Sequence, residues 1–103
     1  MCAAKEIGAM NKAGMAAMAE GNYMNAEFMM HQAIRRAERL GVDTYTAKLK
    51  NNFGIILNVQ GKKQEAAVFF DDALATITRT IGTDNKLYRT IEANLHDAQA
   101  GQA

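Results

Sequence analysis

The chain has 103 residues, twelve basic and eleven acidic side chains, a net charge of +1, one cysteine and no proline. A near-neutral balance with no basic run argues against nucleic-acid or membrane-surface binding driven by charge. One cysteine excludes an internal disulfide, and no stretch approaches the ~18 apolar residues of a membrane span.

The first predicted helix, α1, covers about residues 3–20. The N-terminal stretch is rich in Ala and Met, but Lys5, Glu6, Asn11 and Lys12 interrupt it, so it reads as a helix of the fold and not as an export signal. A cytoplasmic, reducing setting is the resulting expectation. Gly21-Asn22 breaks α1, and Asn22 is suited to cap α2, about residues 23–40. Gly41 ends α2 as a left-handed C-terminal residue. Asp43 or Thr44 then caps α3, which runs to about residue 60, where Gly61 ends it. The fourth helix, α4, spans about 63–81 and stops at Gly82. Thr83 or Asp84 caps α5, about 85–100, and the tail Gly101-Gln102-Ala103 reads as frayed. Apolar residues at three- and four-residue spacing, such as Ala66, Phe70 and Ala73 or Leu87, Ile91 and Leu95, favour helix over strand throughout. Turns of two to four residues make neighbouring helices antiparallel.

The helices fall into a repeat of 40 residues. Gly14, Gly21, Ala26 and Ala33 return as Gly54, Gly61, Ala66 and Ala73; Asn11 returns as Asn51, and Met30 and Ile34 are matched by Phe70 and Leu74. Repeated small residues between large apolar ones mark a stacked helical repeat, whose unit buries its apolar face against the next copy. Gly14 and Gly54 sit mid-helix, where glycine costs about 0.5–1 kcal/mol relative to alanine. Close helix packing at these two positions offsets that cost.

On these residues the two units resemble tetratricopeptide repeats. The small–large–small pattern runs Gly14, Ala17, Gly21, Tyr23, Ala26, Met30, Ala33 in the first unit and Gly54, Leu57, Gly61, Ala66, Phe70, Ala73 in the second. The long period, with Asn51-Asn52-Phe53-Gly54, Gln60-Gly61-Lys62 and Ile81-Gly82-Thr83-Asp84, is similar to the kinesin-light-chain-type subclass. The departures are Met10 and Lys50 at the early bulky position and the missing closing proline. The resemblance implies an all-α fold, a right-handed stack of antiparallel helix pairs in a single domain over 1–103. Repeat one spans about 3–41, repeat two about 43–82, and a capping helix about 84–100.

The resemblance also implies a peptide-binding concave face made by the first helix of each repeat. By register that face carries Asn11, Met15 and Met18 from α1 and Lys48, Asn51, Ile55 and Asn58 from α3. Asparagine amides donate and accept and so suit a peptide backbone, and methionine adapts to varied apolar partners. The bland alternative is a solvated face with both methionines packed on a neighbouring helix. A carboxylate clamp is not expected, since Lys12 and Lys48 alone offer charge there.

Six of the seven methionines, Met10, Met15, Met18, Met24, Met29 and Met30, surround α1 and α2. They make either a soft core or an exposed apolar patch for dimerisation or a partner helix. His31 and His96 have no companions for a metal set. Arg35, one turn from His31, leaves a phosphotransfer role a remote alternative. Asp71 and Asp72 diverge by about 100° on a helix and read as solvated surface. Cys2 has no base or oxyanion site beside it. The expectation is therefore a non-enzymatic protein–protein interaction module without cofactor or metal, acting on a protein or peptide partner. The alternative is a structural self-assembly unit, a homodimer or oligomer completing the short stack.

Overall fold

The computed structural model describes residues 2–101. Five helices follow in order: α1 (Ala3–Ala19), α2 (Tyr23–Leu40), α3 (Asp43–Val59), α4 (Lys63–Ile81) and α5 (Lys86–Ala100). Each of the first four is ended by a glycine at positive φ, between 74° and 84°, where a side chain would be strained. Gln102 and Ala103, read from the sequence as part of a frayed tail, lie outside the described residues.

Asn22 caps α2 as expected, its side chain accepting from the Asn25 N–H at 3.3 Å. Two other caps differ from the sequence reading. Neither Asp43 nor Thr44 caps α3, because the helix has already begun at Asp43, with Val42 in the cap position. The Asp43 carboxylate is instead engaged by Arg79 from α4 at 3.2 Å, and the Thr46 hydroxyl donates to the Val42 carbonyl. At α5 the cap is Asn85, not Thr83 or Asp84. Its extended backbone (φ −160°, ψ 161°) lets Oδ1 accept from the Tyr88 N–H at 2.7 Å while Nδ2 donates to the Gly82 carbonyl at 2.9 Å. One side chain thus fastens the turn at both ends.

Cross-helix contacts fix the directions. Arg36 meets Glu6, and Gly14 meets Ala26 and Met30, so α1 and α2 are antiparallel. Lys50 with Asp72 and Asp43 with Arg79 make α3 and α4 antiparallel. Consecutive helices pack as adjacent pairs, and α1, α3 and α5 also touch across the stack, whereas α2 and α4 do not touch. The stack is therefore tight on the α1/α3/α5 side and opens into a cleft between α2 and α4.

The core lies along α3, which has neighbours on several sides and buries Leu49, Phe53, Ile56 and Leu57. Ile7, Met30, Phe70, Ile77 and Ile91 join them from the other helices, all fully buried. Burial of each such side chain contributes about 1.5–3 kcal/mol. Met10, Met15 and Met18 pack against this core half-buried. Met24 alone of the large α2 residues stands almost fully in solvent, at 86% exposure.

The repeated glycines mark unequal approaches. A Cβ on Gly54 would lie 2.5 Å from Phe70 Cε1 and 2.8 Å from Cδ1, whereas one on Gly14 would meet Ala26 O and Met30 Cε at 3.3 Å. The Phe70 ring is enclosed and cannot withdraw, but the end of Met30 is flexible. Gly54→Ala is therefore expected to destabilise the protein by about 1–3 kcal/mol through overpacking. Gly14→Ala is expected to stay within about 1 kcal/mol of wild type, because gained helix propensity offsets the squeeze. Urea unfolding of the two variants checks the pair; equal effects would contradict the close packing of Phe70.

Candidate functional site

Of the residues that the sequence placed on one face, Asn11, Asn51 and Asn58 are hydrogen-bonded across the α1/α3/α5 side, each to a residue of a neighbouring helix. Asn52 Nδ2 donates to Asn11 Oδ1 at 2.8 Å, and Asn94 Nδ2 donates to Asn51 Oδ1 at 2.9 Å. The two bonds tie α1 to α3 and α3 to α5 in the same way, one repeat apart. Asn58 Nδ2 donates to Asp97 at 2.8 Å, adding a second tie to α5. These contacts make a seam of amides between neighbouring first helices.

The seam leaves two unspent polar groups. Asn51 is 6% exposed, its carbonyl oxygen is held by Asn94, and its amide N–H groups have no partner among the described residues. Asn58 Oδ1 is buried and accepts no hydrogen bond among the described residues. An unmade bond of that kind costs about 1–3 kcal/mol. Beside the amides, Met15, Met18 and Ile55 are half-buried against the core, and Lys48 is exposed.

The opposite side of the stack holds a cleft of about 360 Å³ lined by Glu27, His31, Phe53, Leu57, Glu65, Val68 and Phe69. Its floor is aromatic. Phe53 and Phe69 stack with centroids 4.6 Å apart and planes 3° from parallel, and His31 meets Phe53 edge-on at 4.5 Å. Ion pairs bracket it. Above, Glu27 takes Gln60 at 2.7 Å and Lys62 at 3.2 Å. Below, Lys50 rises from α3 between Asp72 of α4 at 2.8 Å and Glu38 of α2 at 3.7 Å. Burial pushes the Glu27 carboxyl up, but the hydrogen bonds from Gln60 and Lys62, with the charges of Lys62 and His31, outweigh it. They hold the group below its ordinary value of 4.5.

Among the described residues no group of three His, Cys, Asp or Glu side chains converges as a metal would need, and no helix is long and apolar enough to cross a membrane. Cys2 and His96 are exposed and stand apart from the cleft. The family model of the tetratricopeptide repeat matches residues 46–85. Residues 46–85 are a tetratricopeptide repeat. The matched segment takes in most of α3, all of α4 and the turn that leads to α5. Tetratricopeptide repeats are non-enzymatic units that mediate protein–protein interaction. No curated protein matches the chain at a significant level.

The repeat signature explains Gly54, Gly61, Ala66, Phe70 and Ala73 as packing residues, and all but Gly61 are buried. It does not explain the cleft. Sequence reasoning missed Glu27, Phe69 and Val68, although one signal was available: Phe28 and Val68 stand 40 residues apart and both fall opposite the Ala26–Met30 and Ala66–Phe70 stripes. The amide ties were legible in part as well, since asparagines at 11, 51, 52 and 94 return at close to one repeat length.

Two outcomes follow. The depressed Glu27 contributes stability that is present above about pH 4.5 and is lost as pH falls toward its lower folded value. Glu27→Gln should therefore flatten the fall in melting temperature between neutral pH and pH 3; an unchanged slope would show that the contacts of the Glu27 carboxylate with Lys62 and Gln60 contribute nothing. A double-mutant cycle on Asn51→Ala and Asn94→Ala, read by urea unfolding, should give a coupling of about 0.5–1.5 kcal/mol. Additive losses would mean that the tie between α3 and α5 is not made in solution.

Proposed function

We propose that this protein is a non-enzymatic interaction module that binds an extended segment of a partner protein along the face of α1, α3 and α5. The observation that carries the reading is Asn51. Asn94 fixes its carbonyl oxygen, which orients the amide N–H groups without consuming them. A fixed, unspent donor meets a peptide carbonyl at little ordering cost. Asn58 Oδ1, buried and without a donor, is the complementary acceptor, reached when Asn58 turns from Asp97. Met15, Met18 and Ile55 give apolar contact, and Lys48 and Lys12 favour acidic flanks in the segment.

In this reading α5 serves as the capping helix. It covers the flank of α4 with Ile91, Leu95 and Ala98 and turns Lys86, Arg89, His96 and Gln99 outward.

The test uses Asn51→Asp, which keeps an oxygen for Asn94 and replaces the donor with an acceptor. Linear peptides selected from a random display library on the wild-type protein should bind Asn51→Asp about tenfold more weakly, the worth of one hydrogen bond of about 1.4 kcal/mol. Far-UV circular dichroism should stay unchanged, and Phe28→Glu on the opposite side should bind as wild type. Peptides that ignore Asn51→Asp, or a library that yields none, would place partner binding elsewhere.

A further inference from the structure

The cleft between α2 and α4 holds carboxylate oxygens that the fold does not use. Gln60 at 2.7 Å and Lys62 at 3.2 Å both donate to Glu27 Oε2, and Oε1 has no partner among the described residues. The two contacts fix the carboxylate and keep it ionised at neutral pH, with one oxygen to spare. Glu65 lines the same cleft from α4. It is exposed, and its carboxylate has neither an ion pair nor a hydrogen bond among the described residues.

The charges that face the cleft are mainly acidic. Glu27 and Glu38 share one face of α2, and Glu65 and Asp72 share one face of α4. Lys62 is spent on Glu27, and Lys50 on Asp72 and Glu38, so four carboxylates meet two ammonium groups. The other basic residues of the two helices point elsewhere. Arg36 holds Glu6, Arg79 holds Asp43, and Lys63 lies along Gly101 at the end of α5. Arg35 and Arg39 line a separate hollow with Glu38. His31 is the one lining group besides these that can donate, and its ring is seated against Phe53. A hollow with apolar walls and an excess of negative charge concentrates cations.

We propose that the cleft binds a small organic cation, a primary amine on a short aromatic stem. The ammonium group donates to Glu27 Oε1 and to Glu65, with three N–H groups available for the two acceptors. The floor selects the stem. Phe53 and Phe69 stack with planes 3° from parallel; Phe53 is buried, but Phe69 is half-buried and lines the cleft. A third ring joins the pair at Phe69, offset or edge-on, and Leu57 and Val68 flank it. A bare metal ion does not fit, because no three ligating side chains converge among the described residues. The volume of about 360 Å³ lies at the small end of the roughly 300–1,000 Å³ of small-molecule sites, which suits a ligand of one ring and a short chain. The site leaves the face of α1, α3 and α5 untouched and stands independently of the peptide-binding reading.

Protein-observed NMR on the full chain tests it at neutral pH, with phenethylammonium as the probe and phenylpropionate as its anionic counterpart. The amine should shift the backbone signals of Glu27, His31, Glu65, Val68 and Phe69 saturably, with a dissociation constant on the order of a millimolar. Phenylpropionate should bind at least about tenfold more weakly. Glu65→Gln should weaken the amine about tenfold, as loss of a hydrogen bond to a charged group does. Glu65→Lys should reverse the preference between the two probes. Far-UV circular dichroism of both variants should match wild type, since the Glu65 side chain is exposed. Asn51→Asp, on the other side of the stack, should bind the amine as wild type does, which separates this site from the peptide-binding face. An amine that produces no saturable shift at the cleft overturns the proposal. Equal binding of the two probes overturns it as well, since the hollow would then take any apolar ring. So does an amine affinity that neither Glu65 variant changes.

Discussion

The contact between the Phe70 ring and the bare backbone of Gly54 sets the spacing of the whole stack. With no Cβ at Gly54, α4 settles on α3 at a distance that a larger residue would prevent. The residue before each contact turns toward the other side. Phe53 precedes Gly54 and Phe69 precedes Phe70, and the two rings meet face to face. The edge-on contact of His31 with Phe53 then draws in α2. A single missing methyl group therefore positions three helices and creates the aromatic floor of the cleft. The first repeat has Met30 where the second has Phe70, and its glycine is met less closely. A flexible thioether fills the space without demanding so exact a fit.

The two sides of the stack are held by different physics. On the side of α1, α3 and α5 the helices touch, and amide–amide hydrogen bonds join them. Such bonds are directional, and each fixes the register of one repeat on the next. On the side of α2 and α4 the helices stand apart, and long charged side chains span the gap. Lys50 reaches both Glu38 and Asp72, and Lys62 reaches Glu27. Exposed ion pairs contribute little individually, about 0–1 kcal/mol, and tolerate changes in distance that an amide pair does not. The tight side sets the geometry, and the open side adjusts to it.

The helices, their turns and the repeat were legible because they rest on local chemistry: glycine at positive φ, an asparagine cap at Asn22, and apolar residues at three- and four-residue spacing. The caps of α3 and α5 were misread because the deciding partners are not local. Asp43 looks like a cap until Arg79, 36 residues away, takes its carboxylate. Thr83 and Asp84 are as suitable by type as Asn85, but it is Asn85 whose extended backbone brings its side chain to both Tyr88 and Gly82. The proposed groove residues show the same division. Helical register puts Asn11, Asn51 and Asn58 on one side, but register on a single helix says nothing about what stands opposite. That Asn52, Asn94 and Asp97 stand there is a property of the stack. The cleft between α2 and α4 was invisible for a related reason: its lining comes from three helices, and none of its residues forms a motif within one.

Asn58 shows how the two kinds of demand meet in one side chain. Its Nδ2 serves the stack by holding Asp97, and its Oδ1 is left buried without a donor. Turning the amide over would not help, since Oδ1 would then face a carboxylate and Nδ2 would lack an acceptor. The only full satisfaction available to the group is a donor from outside the chain or a trapped water with room for both contacts. Asn51, by contrast, has its acceptor satisfied and its donor free. Asn51 and Asn58, two turns apart on α3, thus carry opposite unmet needs, a free donor and a free acceptor.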